Sequence, residues 1–267
     1  MARQNKRRQS GRRSPLAAAV LIGVGLLLTG GVYAGASAAM ASTNDDSKTS
    51  SNLTAEDGKK LFQANCATCH GLDLQGTESG PSLYGVGELA VEFQVSTGRM
   101  PLAAQGPQAP QKPVQFTEDQ IKAMAAYVQS IAPGPTYPSA ETLDGKGDVA
   151  NGADLFRINC AMCHNVAGAG GALTEGKFAP ALTETSALHM YAAMVTGPQN
   201  MPVFNNMNLN LEEKRDIISY LLYLQQHESP GGYGLGALGP VAEGLFIWIF
   251  GIGALIGVTV WITAKSN

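Results

Sequence analysis

Gly58-Lys59-Lys60-Leu61-Phe62-Gln63-Ala64-Asn65-Cys66-Ala67-Thr68-Cys69-His70 returns 94 residues later as Gly152-Ala153-Asp154-Leu155-Phe156-Arg157-Ile158-Asn159-Cys160-Ala161-Met162-Cys163-His164. A match of this length at a fixed offset is an internal repeat, and it decides the reading of the rest. Downstream, Thr97-Gly98-Arg99-Met100-Pro101 is loosely echoed by Thr196-Gly197 and, three residues on, Met201-Pro202. Each copy then closes on a helix-like segment. The first opens with the capping-box pattern Thr117-Glu118-Asp119-Gln120, and Ile121, Met124, Ala125, Val128 and Ile131 follow at helical spacing. The second opens at Asn210 with Glu213 three residues on, and continues through Ile217, Tyr220, Leu221 and Leu224. Tyr127 and Tyr220 fall at matching places. Pro133-Gly134-Pro135-Thr136-Tyr137-Pro138 separates the copies, and no helix crosses such a stretch. The expected architecture is mainly α, with two small helical domains over 54–133 and 147–228 and a linker over 134–146.

Both copies end in C-x-x-C-H, the attachment signature of c-type haem. Two thiols three residues apart sit on neighbouring turns and reach the vinyl groups on one porphyrin edge, and the adjacent histidine places its imidazole on the iron. All four cysteines, Cys66, Cys69, Cys160 and Cys163, are used in this way. Zinc would need four ligands where each unit offers two cysteines and a histidine. A thioredoxin-like pair does not call for the following histidine. Disulfides between cysteines three apart would be strained. Two copies inside a longer repeat favour two covalently bound haem c groups, with His70 and His164 as iron ligands. For the sixth position Met100 lies 30 residues after His70, and Met201 lies 37 after His164. A thioether is a soft ligand that raises the potential. A core methionine is the competing reading. The shared Met-Pro context selects these two over Met124, Met190, Met194 and Met207, and Met162 sits in the cysteine loop. His189 is a rival to Met201 without a counterpart in the first unit, and His227 reads as a solvated residue at a helix end.

Charge places the repeat outside a membrane. Six of the 18 basic residues lie in the first 13 positions, whereas residues 37–243 hold 11 basic and 21 acidic side chains, a net of −10. Such a body lacks the basic surface that nucleic acid requires, so no nucleic-acid partner is expected. Ser14–Asn44 is free of charge over 31 residues and Gly244–Ala264 over 21. About 20 helical residues cross the hydrocarbon core, so 244–264 is expected to span the lipid. Segment 16–40, after a basic cytoplasmic stretch at 1–15, fits a secretory signal with small residues at Ala36-Ser37-Ala38 and Ala39-Met40-Ala41. It is also long enough to stay as an anchor, and both readings stand. The positive-inside rule puts the basic end in the cytoplasm, the repeat outside, and the C-terminus back in the cytoplasm. Gly31/Gly35 and Gly253/Gly257 have the spacing of close helix contacts, a weak pointer to a partner helix.

Both units resemble class I cytochrome c domains. That resemblance implies that the carbonyls of Pro81, in Gly80-Pro81-Ser82-Leu83-Tyr84-Gly85, and Pro180, in Ala179-Pro180-Ala181-Leu182, accept a hydrogen bond from the ligand histidines. It also implies that Phe62 and Phe156 meet Tyr127 and Tyr220 where first and last helices touch. The whole chain resembles the dihaem cytochrome c subunit of actinobacterial cytochrome bc complexes, the menaquinol–cytochrome c reductases. The glycine-rich run Gly231–Pro240, within a juxtamembrane segment at 229–243, and the helix after it add to the likeness. The resemblance implies cytochrome b and Rieske iron–sulfur partners, an aa-type oxidase as electron acceptor at its copper-A centre, and a place in a plasma-membrane translocase. It implies that the chain itself transfers electrons and holds no catalytic residue. Other dihaem carriers are the alternatives: a free membrane-anchored shuttle, or the subunit of a cbb-type oxidase, whose membrane helices precede its haem domains. An exported binding module held by metal or disulfides, or a dihaem enzyme with an open iron, would be of a different class.

Overall fold

The computed structural model of the chain describes residues 15–43, 53–227, 234–235 and 240–265. The basic run up to Arg13 and most of the glycine-rich run therefore lie outside the described residues. Residues 1–52 and 53–267 form two separate compact units. In the first, helix α1 (Pro15–Thr43) is one continuous helix through the small-residue motifs at 36–41. Proline opens it, where its missing N–H costs nothing.

The second unit begins with α2 (Ala55–Asn65), α3 (Ala67–His70), α4 (Gly87–Ser96) and α5 (Glu118–Ile131). The repeat follows as α6 (Val149–Asn159), α7 (Ala161–His164), α8 (Ala187–Thr196) and α9 (Leu211–Gln226). A two-residue antiparallel pair, β1 (Gly171–Ala172) with β2 (Phe178–Ala179), is added in the second copy. Both closing helices start where the sequence places them. Thr117 and Gln120 cap each other reciprocally at α5, and Asn210 and Glu213 do so at α9. Thr54 and Asp57 form a third such box at α2.

Within each copy the first helix crosses the last at a glycine. A Cβ on Gly58 would stand 2.0 Å from the Ala123 carbonyl oxygen, and one on Gly152 2.0 Å from that of Asp216. One turn on, Phe62 meets Tyr127 with ring centroids 5.6 Å apart and planes at 51°, and Phe156 meets Tyr220 at 5.6 Å and 52°. The two crossings are thus built alike, and each anchors a separate apolar cluster.

The copies touch through α4 and α8, where Leu89, Phe93 and Ala192 are buried with Tyr137, Leu188 and Tyr191 packed around them. The proline-rich linker lies against the first copy. The Gln129 side chain accepts from the Glu88 and Gly134 amides, and the Tyr137 hydroxyl donates to Glu92 at 2.8 Å. That carboxylate, after burial, pushes the Tyr137 phenol well above its usual range.

The C-terminal helix runs as α10 (Pro240–Phe246), one π-helical turn (Ile247–Ile252) and α11 (Gly253–Ala264). It starts four residues before the charge-free stretch, because Pro240 can open a helix and Glu243 does not break one. Val241–Ala264 has a mean hydropathy of 2.3 and no side chain buried. Its 24 residues reach about 36 Å, enough to cross a bilayer core.

Candidate haem sites

Each C-x-x-C-H occupies a sharp helix-to-helix step. Cys66 (φ −122°) ends α2 and starts α3, and Cys160 (φ −124°) does the same between α6 and α7. The repeated asparagine before it holds the preceding turn, Asn65 Nδ2 donating to Leu61 O at 2.8 Å and Asn159 Nδ2 to Leu155 O at 2.9 Å. The His70 and His164 amides then donate to the Cys66 and Cys160 carbonyls at 3.0 and 2.9 Å. This turn sets both sulfurs and the imidazole on one short segment. The chain leaves it in the left-handed region, through Gly71 (φ +77°) and Asn165 (φ +66°), residue types that tolerate it.

A second left-handed glycine brings the proline carbonyl to the histidine. Gly76 and Gly170 each donate to the carbonyl of their histidine at 2.8 Å. A Cβ on either would come within 2.5 Å of the peptide flanking Pro81 or Pro180. His70 Nδ1 lies 2.8 Å from Pro81 O, and His164 Nδ1 2.9 Å from Pro180 O. A carbonyl can only accept, so each Nδ1 carries the proton and each Nε2 presents a lone pair, as an iron ligand must. Burial lowers the His164 pKa against the opposing pull of that bond, which keeps the ring neutral.

The four thiols are unpaired with one another. Burial, and then the neighbouring cysteine, push Cys66 and Cys160 up to about 11. Among the described residues no three His, Cys, Asp or Glu side chains converge as metal ligands do.

In the second copy Cys160, Cys163, His164, Pro180 and Met201 line one cavity of about 480 Å³. This falls within the range of about 300–1,000 Å³ usual for cofactor sites. The thiol pair, the Nε2 lone pair and the apolar lining by Phe156, Ile217 and Leu221 fit a haem. Met190 and Met194, both buried, line the same cavity as Met201. Met201 comes four residues after Gly197 (φ +58°) and Met100 two after Gly98 (φ +70°), and a Cβ on Gly98 would collide with the Lys112 carbonyl. Met162 and Met207 are 92% and 94% exposed. In the first copy Cys66 packs on the Phe62–Leu74–Tyr127 cluster and Met100 on the cluster of Val95, Ile121 and Met124, with Val91 in contact with both.

His189 faces the first copy. Its Nε2 lies 2.8 Å from Ser96 Oγ, and its ring stands edge-on to Phe93 at 5.9 Å. That hydroxyl already donates to Glu92 O, so Nε2 carries the proton and the ring's lone pair is on Nδ1, and His189 also lines the second copy's cavity. His227 stacks on Tyr223 at 4.0 Å beyond the end of α9. Sequence reasoning missed Gly58, Gly76, Gly152 and Gly170. A glycine inside a helix costs about 1 kcal/mol, so Gly58 and Gly152, recurring at the same place in both first helices, carried a signal, while Gly76 and Gly170 lie in loops where glycine is common.

Comparison with known proteins gives two family matches. The cytochrome c model matches residues 55–132, and the model of cytochrome c oxidase, cbb3-type, subunit III matches 147–221. The cytochrome bc1 complex cytochrome c subunit of Mycobacterium tuberculosis (strain H37Rv) is 46% identical over 95% of this chain and 92% of its own length. That of Corynebacterium efficiens is 45% identical over 99% and 94%. The cbb3-type cytochrome c oxidase subunit CcoP of Rubrivivax gelatinosus is 30% identical over 42% of this chain and 34% of its own.

Proposed function

The chain belongs to the family of cytochrome c subunits of the cytochrome bc1 complex, with two cytochrome c domains and so an electron-transfer role, and we propose that it is the fixed electron path from that complex to a terminal oxidase. It would accept electrons from the Rieske iron–sulfur subunit of a menaquinol-oxidising complex that also holds cytochrome b. It would deliver them to the copper-A centre of an aa-type oxidase. The domains would extend over 54–133 and 147–228.

The observation that carries this reading is the duplicated site. Two copies place their histidine, proline carbonyl and aromatic crossing alike to within 0.1 Å in the quoted distances. Cys66 and Cys69 would hold one haem c and Cys160 and Cys163 the other. His70 with Met100, and His164 with Met201, would be the axial ligands. When bound, haem supplies a one-electron iron couple whose potential methionine ligation raises. The Pro81 and Pro180 carbonyls fix the imidazole tautomer and ring direction. The clusters around Phe62 and Phe156 exclude water, which limits reorganisation on electron transfer. Two ligands per iron leave no position for substrate, so the chain would transfer electrons and bind nothing at the metal. With Val241–Ala264 in the plasma membrane, the domains would lie outside the cytoplasm and Lys265 inside.

The test is purification in mild detergent through a tag on this chain, with quinol-driven oxygen uptake assayed without added cytochrome c. Co-purification of cytochrome b, Rieske protein and aa-type oxidase in a respiring preparation is the expected result. A haem-loaded chain that comes alone and inactive would make it a loosely held shuttle.

A further inference from the structure

Arg99 has no role in the reading above. It stands one position before Met100, yet its side chain lines the second copy's cavity, together with Thr97, Gln108 and Gln111 of the first. It is 8% exposed. Among the described residues no carboxylate or hydrogen-bond acceptor engages it; it lies over the face of Phe93, 5.0 Å from the ring centroid, and its charge bears on His189, which lines the same cavity. Glu184 lines the same cavity without forming an ion pair with it. A guanidinium stays charged, carries five donors in a planar fork, and is costly to bury without an anion. The cavity it faces is the one that fits a haem, whose anionic groups are its propionate carboxylates. The fork matches a carboxylate through two parallel hydrogen bonds.

We propose that Arg99 of the first domain binds a carboxylate of the haem held by the second, so that the second pocket is closed by a positioning residue from its neighbour. This rests on the reading that Cys160, Cys163 and His164 hold a haem. Gln108 supports the same wall by pairing with the backbone of β2: its Nε2 donates to Phe178 O and its Oε1 accepts from Phe178 N, both at 2.9 Å. Because Arg99 and Met100 are consecutive, one turn of chain would serve the first iron and the second porphyrin at once. A cation at that wall stabilises the reduced centre, which carries one positive charge fewer. A single charge in a partly screened interior typically shifts such an equilibrium about tenfold, or about 59 mV for one electron.

The experiment is a spectroelectrochemical titration of the full-length protein in its detergent-solubilised complex, for wild type, Arg99→Gln and Arg99→Lys. The couple displaced by Met201→Ala identifies the second site. The expected result is an about tenfold fall in the second site's reduction equilibrium in Arg99→Gln. The first site should be unmoved, and most of the fall recovered in Arg99→Lys. An unmoved second couple, an equal fall with lysine, or a shift confined to the first couple would overturn the proposal. A wild-type second couple that follows added inorganic phosphate would assign the guanidinium to a solvent anion and overturn it too. Unchanged haem content in Cys160→Ala would instead remove the underlying reading, a separable failure.

Discussion

Gly152→Ala adds one methyl group where α6 crosses α9, and its cost can be worked from the backbone. The new Cβ would lie 2.0 Å from the Asp216 carbonyl oxygen, 2.5 Å from its carbon and 3.0 Å from the Ile217 nitrogen. None of these atoms belongs to a side chain that can rotate away. Ordinary contact begins near 3.4 Å, so the helices must part by about 1.4 Å at that point. The separation would loosen Phe156 against Tyr220 and the packing of Ile217, one turn away in the same cluster. Overpacking of this kind costs about 1–3 kcal/mol, and a backbone clash sits at the upper end. Alanine's better helix propensity returns about 1 kcal/mol, leaving a net loss of about 2 kcal/mol. With a urea slope of about 1 kcal/mol per molar, the second domain's midpoint falls by roughly 2 M. The assay is urea unfolding of the full-length holoprotein in detergent, followed by far-ultraviolet circular dichroism and haem absorbance. Gly58→Ala should do the same to the first domain. Gly106→Ala, where the nearest atom would be 3.8 Å away, should leave the midpoint unmoved. A Gly152→Ala protein as stable as wild type would refute the argument that this crossing has no room for a side chain.

Other outcomes are as specific. Met201→Ala should lower the potential of one of two couples and open that iron to added imidazole, read by redox titration and absorbance, while the other couple stays put. Asp216 accepts from the Asp148 amide at 2.7 Å and from Asn151 Nδ2 at 2.8 Å while buried. Asp216→Ala should therefore destabilise the second domain by about 3 kcal/mol in the same urea assay. The Thr54 amide and hydroxyl, with Lys60, hold Asp57 down to about 2. A folded value below the unfolded carboxylate's, about 3.9, means a contribution present above roughly pH 4 and lost as pH falls towards 2. Asp57→Asn should flatten that part of the first domain's acid-unfolding curve.

The chemistry of the site was legible because it needs fixed residue types at fixed spacing. C-x-x-C-H can be read without a structure, and so can a capping box, whose two hydrogen bonds are local in sequence: Thr117 and Asn210 start their helices as the pattern requires. What sequence did not disclose is contact between segments far apart. The apolar residues of α4 and α8 announce two buried helix faces, but helical spacing does not say that Phe93 packs towards Ala192. His189 ranks behind Met201 as a ligand candidate because it has no counterpart in the first copy, and nothing local in sequence shows that its partner is Ser96, 93 residues away. Arg99 was read only as part of a methionine motif, since nothing local shows that its side chain crosses into the neighbouring domain.

The repeat's irregularities carry the information that its regularities lack. Equivalent residues keep an offset of 94 from Gly58/Gly152 to Gly76/Gly170, and then Pro81/Pro180 stand 99 apart, so the second copy has gained five residues where β1 and β2 form. Met100 to Thr117 covers 17 positions and Met201 to Asn210 only 9, so the first copy has a loop eight residues longer between its ligand candidate and its last helix. These two additions meet. Gln108 of the long loop pairs with Phe178 of the added hairpin, and Ala109 donates to Gln199 Oε1 at 3.1 Å. Duplication alone would give two independent cytochrome domains on a flexible tether, each with its own complete pocket. The insertions convert that pair into one body whose second pocket is walled by Arg99, Gln108 and Gln111 of the first domain. A fixed path needs such a joint, because electron transfer slows steeply with separation and a tether would let the separation vary. Shortening the 101–116 loop to the length of its counterpart should therefore leave both histidine sites formed yet make transfer between the haems slower and more heterogeneous, measured by flash photolysis. Unchanged single-exponential transfer in that variant would show that the α4–α8 contact alone fixes the two domains.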